Sequence, residues 1–94
     1  MEIKWVLLAW ADLDEVYAFI SKDKPEASGK TVRRILDAAQ ILADNPGAGR
    51  PGRVAGTREL IIAGTPSILP YRVKNNAVEV LRVLHSSRRW PQKF

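Results

Sequence analysis

The segment SILPYRVKNNAVEVLRVL, residues 67–84, consists of two apolar, β-branched runs on either side of an Asn75-Asn76 pair. Asparagine tolerates positive φ, so this pair suits a two-residue hairpin turn. The turn sets the register of strands over Ser67–Lys74 and Ala77–Leu84. Lys74 then faces Ala77, Val73 faces Val78, and Arg72 faces Glu79 as an opposite-charge cross-strand pair. Pro70 cannot donate to a ladder, which predicts a sheet edge or a bulge at that point. The run Val78–Leu84 is largely apolar on both faces, which predicts a central strand covered on both sides.

Upstream of the hairpin, Thr57–Ile62 reads as another strand. Gly47–Gly56 (GAGRPGRVAG) holds four of the six glycines and reads as a loop displaying Arg50 and Arg53. Pro25–Asp44 reads as a helix. Proline suits its first turn, where the N–H has no intrahelical partner, and Asn45-Pro46-Gly47 stops it. Val32, Ile35, Leu36, Ala39 and Leu42 form its apolar stripe, with Lys30, Arg33 and Arg34 on the other side. An earlier helix over about Ala9–Lys22 places Leu13, Val16, Tyr17 and Ile20 at i, i+3, i+4 and i+7. Asp12, Asp14 and Glu15 lie near its start, where acidic groups suit the helix dipole. Glu2–Leu7 reads as a first strand. The expected fold is α+β: an N-terminal strand, a two-helix hairpin, then three antiparallel strands forming one sheet, as a single domain over residues 1–94.

A chain of 94 residues buries only about 60–65% of the surface it exposes when unfolded, so its core is modest and a permanent partner would help stabilise it. Cysteine is absent and His85 is the sole histidine, which excludes disulfides, thiolate metal sites and histidine-rich metal sites. Carboxylate-only metal sites stay open but have no visible motif, and no glycine-rich phosphate loop is present, so no cofactor is expected. The apolar run from Trp5 to Trp10 follows an acidic residue and is too short for a signal peptide or a membrane span, so a cytoplasmic protein is expected.

The net charge of +5 is unevenly divided. Residues 1–46 carry six basic and eight acidic side chains, a net of −2; residues 47–94 carry nine and two, a net of +7. Such an asymmetry points to an acidic or polyanionic partner for the C-terminal half. The candidate contacts are Arg50, Arg53, Arg58, Arg72, Arg88, Arg89 and Trp90. Arginine forks onto phosphate or carboxylate, and tryptophan stacks on a base. Histidine is the residue type that serves by default as general acid or base near neutral pH, which makes His85 the candidate for that role. Each also has a plainer role open to it: His85 ending a strand, Trp90 packing on the core, Arg72 pairing with Glu79. A hydrolase built on His85 with Ser86 or Ser87 is set aside, because near neighbours in sequence rarely reach each other in that geometry.

Several stretches together resemble the RelE/ParE toxins of type II toxin–antitoxin systems. They are Asp12-Leu13, Asn45-Pro46, GRPGRVAGTREL (residues 49–60), LPYRV (69–73) and VEVLRVLHSSRRWP (78–91), in the family's order over nearly the whole chain. The resemblance implies two helices on an antiparallel sheet and a cognate antitoxin that wraps the toxin, often with an acidic segment suited to the +7 half. It also implies a role in plasmid stabilisation and repression of the operon through the antitoxin. Two activities occur in the family. RelE-like members cut mRNA on the ribosome, using lysines and arginines on the middle strands; ParE-like members poison DNA gyrase and lack those residues. Alignment puts Glu59, Ile61 and Ile68 at three of the nuclease positions, and none of these stabilises phosphate charge. A gyrase inhibitor without chemistry of its own is therefore the first expectation. A ribosome-dependent endoribonuclease using His85 is the second, and a non-toxic basic nucleic-acid-binding module the third.

Overall fold

The computed structural model describes residues 1–87 and 89–94; Arg88, one of the expected contact residues, lies outside them. The elements run β1 (Glu2–Trp5), α1 (Leu7–Asp23), α2 (Pro25–Ile41), β2 (Arg50–Pro51), β3 (Arg58–Ile61), β4 (Ser67–Lys74), β5 (Ala77–Val80) and β6 (Leu84–His85). They form two helices and one mixed sheet in the order β1-β5-β4-β3-β2, with β6 also paired to β4. β1 is parallel to β5 and all other pairs are antiparallel.

The Asn-Asn turn is formed as expected. Asn75 and Asn76 have φ of 52° and 58°, and Arg72 faces Glu79, Val73 faces Val78 and Lys74 faces Ala77. The Arg72 Nε donates to Glu79 Oε1 at 2.6 Å, and this bond holds the Glu79 carboxyl below the usual carboxylate range. β5 lies between β1 and β4, with Val78 and Val80 fully buried.

The last strand is not continuous to Leu84. Tyr71 faces Val80, whereas Ile68 faces Leu84, so Leu69 and Pro70 oppose the three residues Leu81, Arg82 and Val83. This is a β-bulge of one extra residue. Pro70 therefore marks a bulge, as its missing N–H predicts, but in an interior strand bounded by β3 on its other side rather than at an edge. The bulge divides the expected third strand into β5 and β6. A further strand, β2, forms inside the segment expected to be a plain loop.

Both helices differ from expectation at their ends. β1 stops at Trp5, because Val6 donates to Val80 O and its own carbonyl accepts from Ala9 and Trp10, which starts α1 at Leu7. α2 ends at Ile41, and Leu42–Asp44 continue as turn. With α1 beginning earlier, its first turn holds no acidic residue, so Asp12 is not a dipole partner. It sits on the inner face, 9% exposed, between Ala9 and Leu13. Tyr17, expected inside, is 49% exposed instead: the inner stripe is rotated toward Asp12, and Tyr17 falls outside it.

The core between helices and sheet contains Ala9, Leu13, Ile35, Ala39, Leu69 and Val80. Beside it, Tyr71 packs with Leu42 and Val78. The Tyr71 hydroxyl donates to Pro46 O at 2.7 Å and accepts from Gly49 N–H at 2.9 Å, tying the end of the helical hairpin to the arginine–glycine loop. A Cβ on Gly49 would press on the Tyr71 ring and on Glu59 O, so this close approach needs glycine. Tyr71→Phe leaves the buried Gly49 N–H and the part-buried Pro46 carbonyl without partners. It should cost roughly 1–3 kcal/mol and lower the melting temperature by about 5–20 °C in a circular-dichroism melt. An unchanged melting temperature would show that the tie carries no stability.

Candidate functional site

Register places the basic loop on a particular sheet face. Arg50 is the cross-strand partner of Glu59, and Ile61 is the partner of Ile68. Side chains alternate along a strand, so Arg50, Glu59, Ile61 and Ile68 share one face. Leu60 and Leu69 occupy the opposite face, with the helices. The candidate site therefore lies on the side of the sheet turned away from the helices.

Glu59 is the organising residue, its side chain only 1% exposed. One oxygen accepts from Arg50 Nε at 3.2 Å and Nη2 at 3.0 Å; the other accepts from the Arg53 backbone N–H at 2.7 Å. The Arg53 Nε stands 3.7 Å from the same carboxylate. A buried carboxylate survives only when paired and hydrogen-bonded, and here it gathers two cations in return. Both arginine side chains remain 47% exposed, so each keeps free N–H groups at the surface. The C-terminal tail returns to this cluster: the Arg53 guanidinium lies 3.9 Å from the centre of the Trp90 ring, a cation–π contact. The Trp90 Nε1 is buried and has no partner among the described residues. Beside the two arginines, Ile61, Ile68, Pro66 and Ser86 line a hollow of about 270 Å³.

The other expected contacts are elsewhere. Arg58 donates to Gly49 O and so braces the loop. Arg72 is engaged with Glu79 toward the far end of β4. Arg89 is exposed. His85 lies on β6 at a second, larger hollow of about 440 Å³ between β6 and α1, lined among others by Asp12, Phe19, Arg82 and Val83. Its Nδ1 accepts from the Ser87 N–H at 3.1 Å, with Ser87 Oγ at 2.8 Å. Ser87 does reach the ring, though not as the nucleophile of a hydrolase. The contact is that of a local turn closed by the ring nitrogen.

The floor of the larger hollow holds the ion pair that sequence reasoning missed. Asp12 accepts from Arg82 Nε at 2.7 Å, from Arg82 Nη2 at 3.1 Å, and from the Val83 N–H at 3.0 Å. The bulge leaves Val83 N–H without a ladder partner, and Asp12 satisfies it. The same hydrogen bonding holds the Arg82 guanidinium above its ordinary pKa. Among the described residues, no group of His, Cys, Asp and Glu could hold a metal ion. No helix among them is long and apolar enough to cross a membrane.

Residues 3–90 match the family model of the ParE toxin of the type II toxin–antitoxin system parDE. Over 90 residues the chain is 48% identical to the candidate toxin Y4kP of Sinorhizobium fredii, covering 96% of this chain and 93% of that protein. It is 31% identical to toxin RelE2 of Caulobacter vibrioides, covering 93% and 97%. Among solved structures, a chain of the chromosomal ParDE system from P. aeruginosa superposes with a TM-score of 0.84 at 36% identity, covering 90% of this chain and 95% of that one. A chain of the YoeB–YefM toxin–antitoxin heterotetramer from Staphylococcus aureus has a TM-score of 0.57 at 18% identity, covering 90% and 95%, a likeness of fold alone.

Proposed function

The chain belongs to the ParE toxin family of type II toxin–antitoxin systems, and we propose that it arrests growth in the cytoplasm by binding DNA gyrase and is held inactive by a cognate antitoxin. The observation that carries this reading is the chemistry of the helix-free sheet face. A nuclease of this fold would need cations on the middle strands to steady a phosphate. The corresponding places here hold Glu59, Ile61 and Ile68, and Glu59 is a buried carboxylate already paired with Arg50 and Arg53. At these three positions a phosphate would find no cation: Glu59 is a buried acid, and Ile61 and Ile68 are apolar. Protein–protein contact asks for no such cation, and the exposed arginines suit rim contacts on an acidic surface.

A second reading, a RelE-like ribosome-dependent endoribonuclease, has one observation in its favour. His85 is exposed and lines the larger hollow together with Arg82.

Pulse incorporation of labelled thymidine and methionine after induction without antitoxin separates the two. Thymidine incorporation should fall first, and His85→Gln should leave the arrest intact. Loss of methionine incorporation within minutes while DNA synthesis continues, with His85→Gln abolishing arrest, would replace gyrase by the ribosome. If neither label is affected, the toxin reading itself fails and a plain basic binding module remains.

A further inference from the structure

We propose that the larger hollow, between α1 and β6, is a binding site for a small arylalkylamine, with the aryl body on the apolar walls and the ammonium at Glu15 and Phe19. The site stands apart from the basic loop and does not depend on which target the toxin arrests.

The interior of the hollow is apolar, and its buried charges are already paired. Val16, Ile20, Val83 and Leu84 supply walls, and the volume of about 440 Å³ falls in the range of small-molecule sites. At the floor, Asp12 spends its two oxygens on Arg82 and the Val83 N–H, and Arg82 spends Nε and Nη2 on Asp12. The His85 Nδ1 is taken by Ser87. The floor therefore needs no ligand to offset a buried charge.

The mouth decides the class of ligand. Glu15 and Phe19 both line the hollow and both are exposed, Phe19 by 72%. They stand four residues apart on α1, so the carboxylate and the ring are neighbours on one side of the helix. Glu15 has no ion-pair partner among the described residues. A carboxylate beside an aromatic face recognises an ammonium by ion pairing and cation–π attraction together. An anion would find only Arg82, whose fork is closed by Asp12. The charged lining residues are Asp12, Glu15 and Arg82, two acids and one base, so the hollow is locally negative in a protein of net charge +5. The long-range field of such a protein favours anions. A preference for cations can therefore come only from the hollow itself.

The test titrates tryptamine, up to millimolar concentration, into the full isotope-labelled chain and follows backbone amide shifts by NMR. Indole-3-propionate serves as the paired probe: it has the same ring and linker with a carboxylate in place of the ammonium. Tryptamine should shift the amides of Glu15–Ile20 and Val83–His85, and should bind about tenfold or more tightly than the propionate. Glu15→Gln should weaken tryptamine binding about threefold or more and narrow the gap between the two probes. Phe19→Ser should weaken it about twofold to fivefold. Asp14→Asn removes the same charge from the neighbouring residue, which is exposed and does not line the hollow, and should leave binding within about twofold. All three positions are exposed, and the unliganded spectrum of each variant reports its fold directly. Equal or tighter binding of the propionate would overturn the proposal in favour of the general basic field. Tryptamine shifts confined to the Arg53–Trp90 contact would overturn it in favour of ring stacking on the basic loop. Absent binding, or binding untouched by both Glu15→Gln and Phe19→Ser, would overturn it outright.

Discussion

Asp12→Ala should destabilise this protein more than any other single substitution considered. The carboxylate accepts both a forked Arg82 and the Val83 N–H that the bulge leaves without a strand partner. Removing it strands a guanidinium whose side chain is only 22% exposed, and a backbone donor in the same step. Breaking a buried pair by deleting one partner costs about 3–5 kcal/mol, against roughly 5–15 kcal/mol for the whole stability of a small domain. The melting temperature should fall by about 15–30 °C. Asp12→Asn keeps an oxygen for Val83 N–H and should lose less. Asp12→Leu/Arg82→Leu removes both charges and should recover much of the loss, since an apolar pair carries no desolvation cost. A circular-dichroism melt of Asp12→Ala within about 3 °C of wild type would show that the pair is dispensable and that water serves the bulge equally well. The position of His85 depends on the same contact. The bulge shifts β6 by one residue relative to β5, and that shift sets where His85 meets the larger hollow.

The parts of this fold written in local sequence were legible, and the parts that depend on distant pairing were not. Asn75-Asn76 carries its own φ preference, so the hairpin register could be read directly. Asn45-Pro46 limits α2 within a few residues for the same reason: both residues act on the backbone next to them. Pro70 announced a disturbance in the ladder. Whether that meant an edge or a bulge depended on residues 81–83, which carry no turn signal of their own. Asp12 was read as a dipole partner because its true partners lie 70 and 71 residues away, and nothing near Asp12 points to them. The loop arginines looked like free cations for a related reason. β2 is two residues long and has no periodicity to betray it, yet its pairing places Arg50 opposite Glu59. One signal was available. With two acids among residues 47–94 and nine basic groups, a glutamate inside an apolar strand segment is a natural hub for arginines. The other acid, Glu79, was read correctly because the hairpin turn fixed its partner.

Glu59→Ala should have the second largest effect, and it should separate the stability of the basic loop from its recognition of a partner. The carboxylate is the shared acceptor for Arg50 and for the Arg53 backbone, so its loss frees the loop between β2 and β3 and opens a buried void. The cost differs in kind from that at Asp12. Arg50 and Arg53 are half exposed and regain water when released, so the loss should be about 2–4 kcal/mol and not more. Glu59→Gln fills the void and keeps one acceptor for the Arg53 N–H; it should cost about 1–2 kcal/mol, chiefly the charge-assisted part of the arginine bonds. Both variants raise the net charge of the loop. If attraction of acidic partners were a matter of net charge alone, both should bind a short labelled peptide of alternating aspartate and leucine more tightly than wild type. If the carboxylate is needed to hold the two forks side by side, both should bind it more weakly despite the added positive charge. Urea denaturation and peptide anisotropy on the same samples give the two quantities independently. Weaker binding by Glu59→Gln at nearly native stability is the expected pattern, because two fixed guanidiniums meet one carboxylate at a smaller entropic cost than two mobile ones.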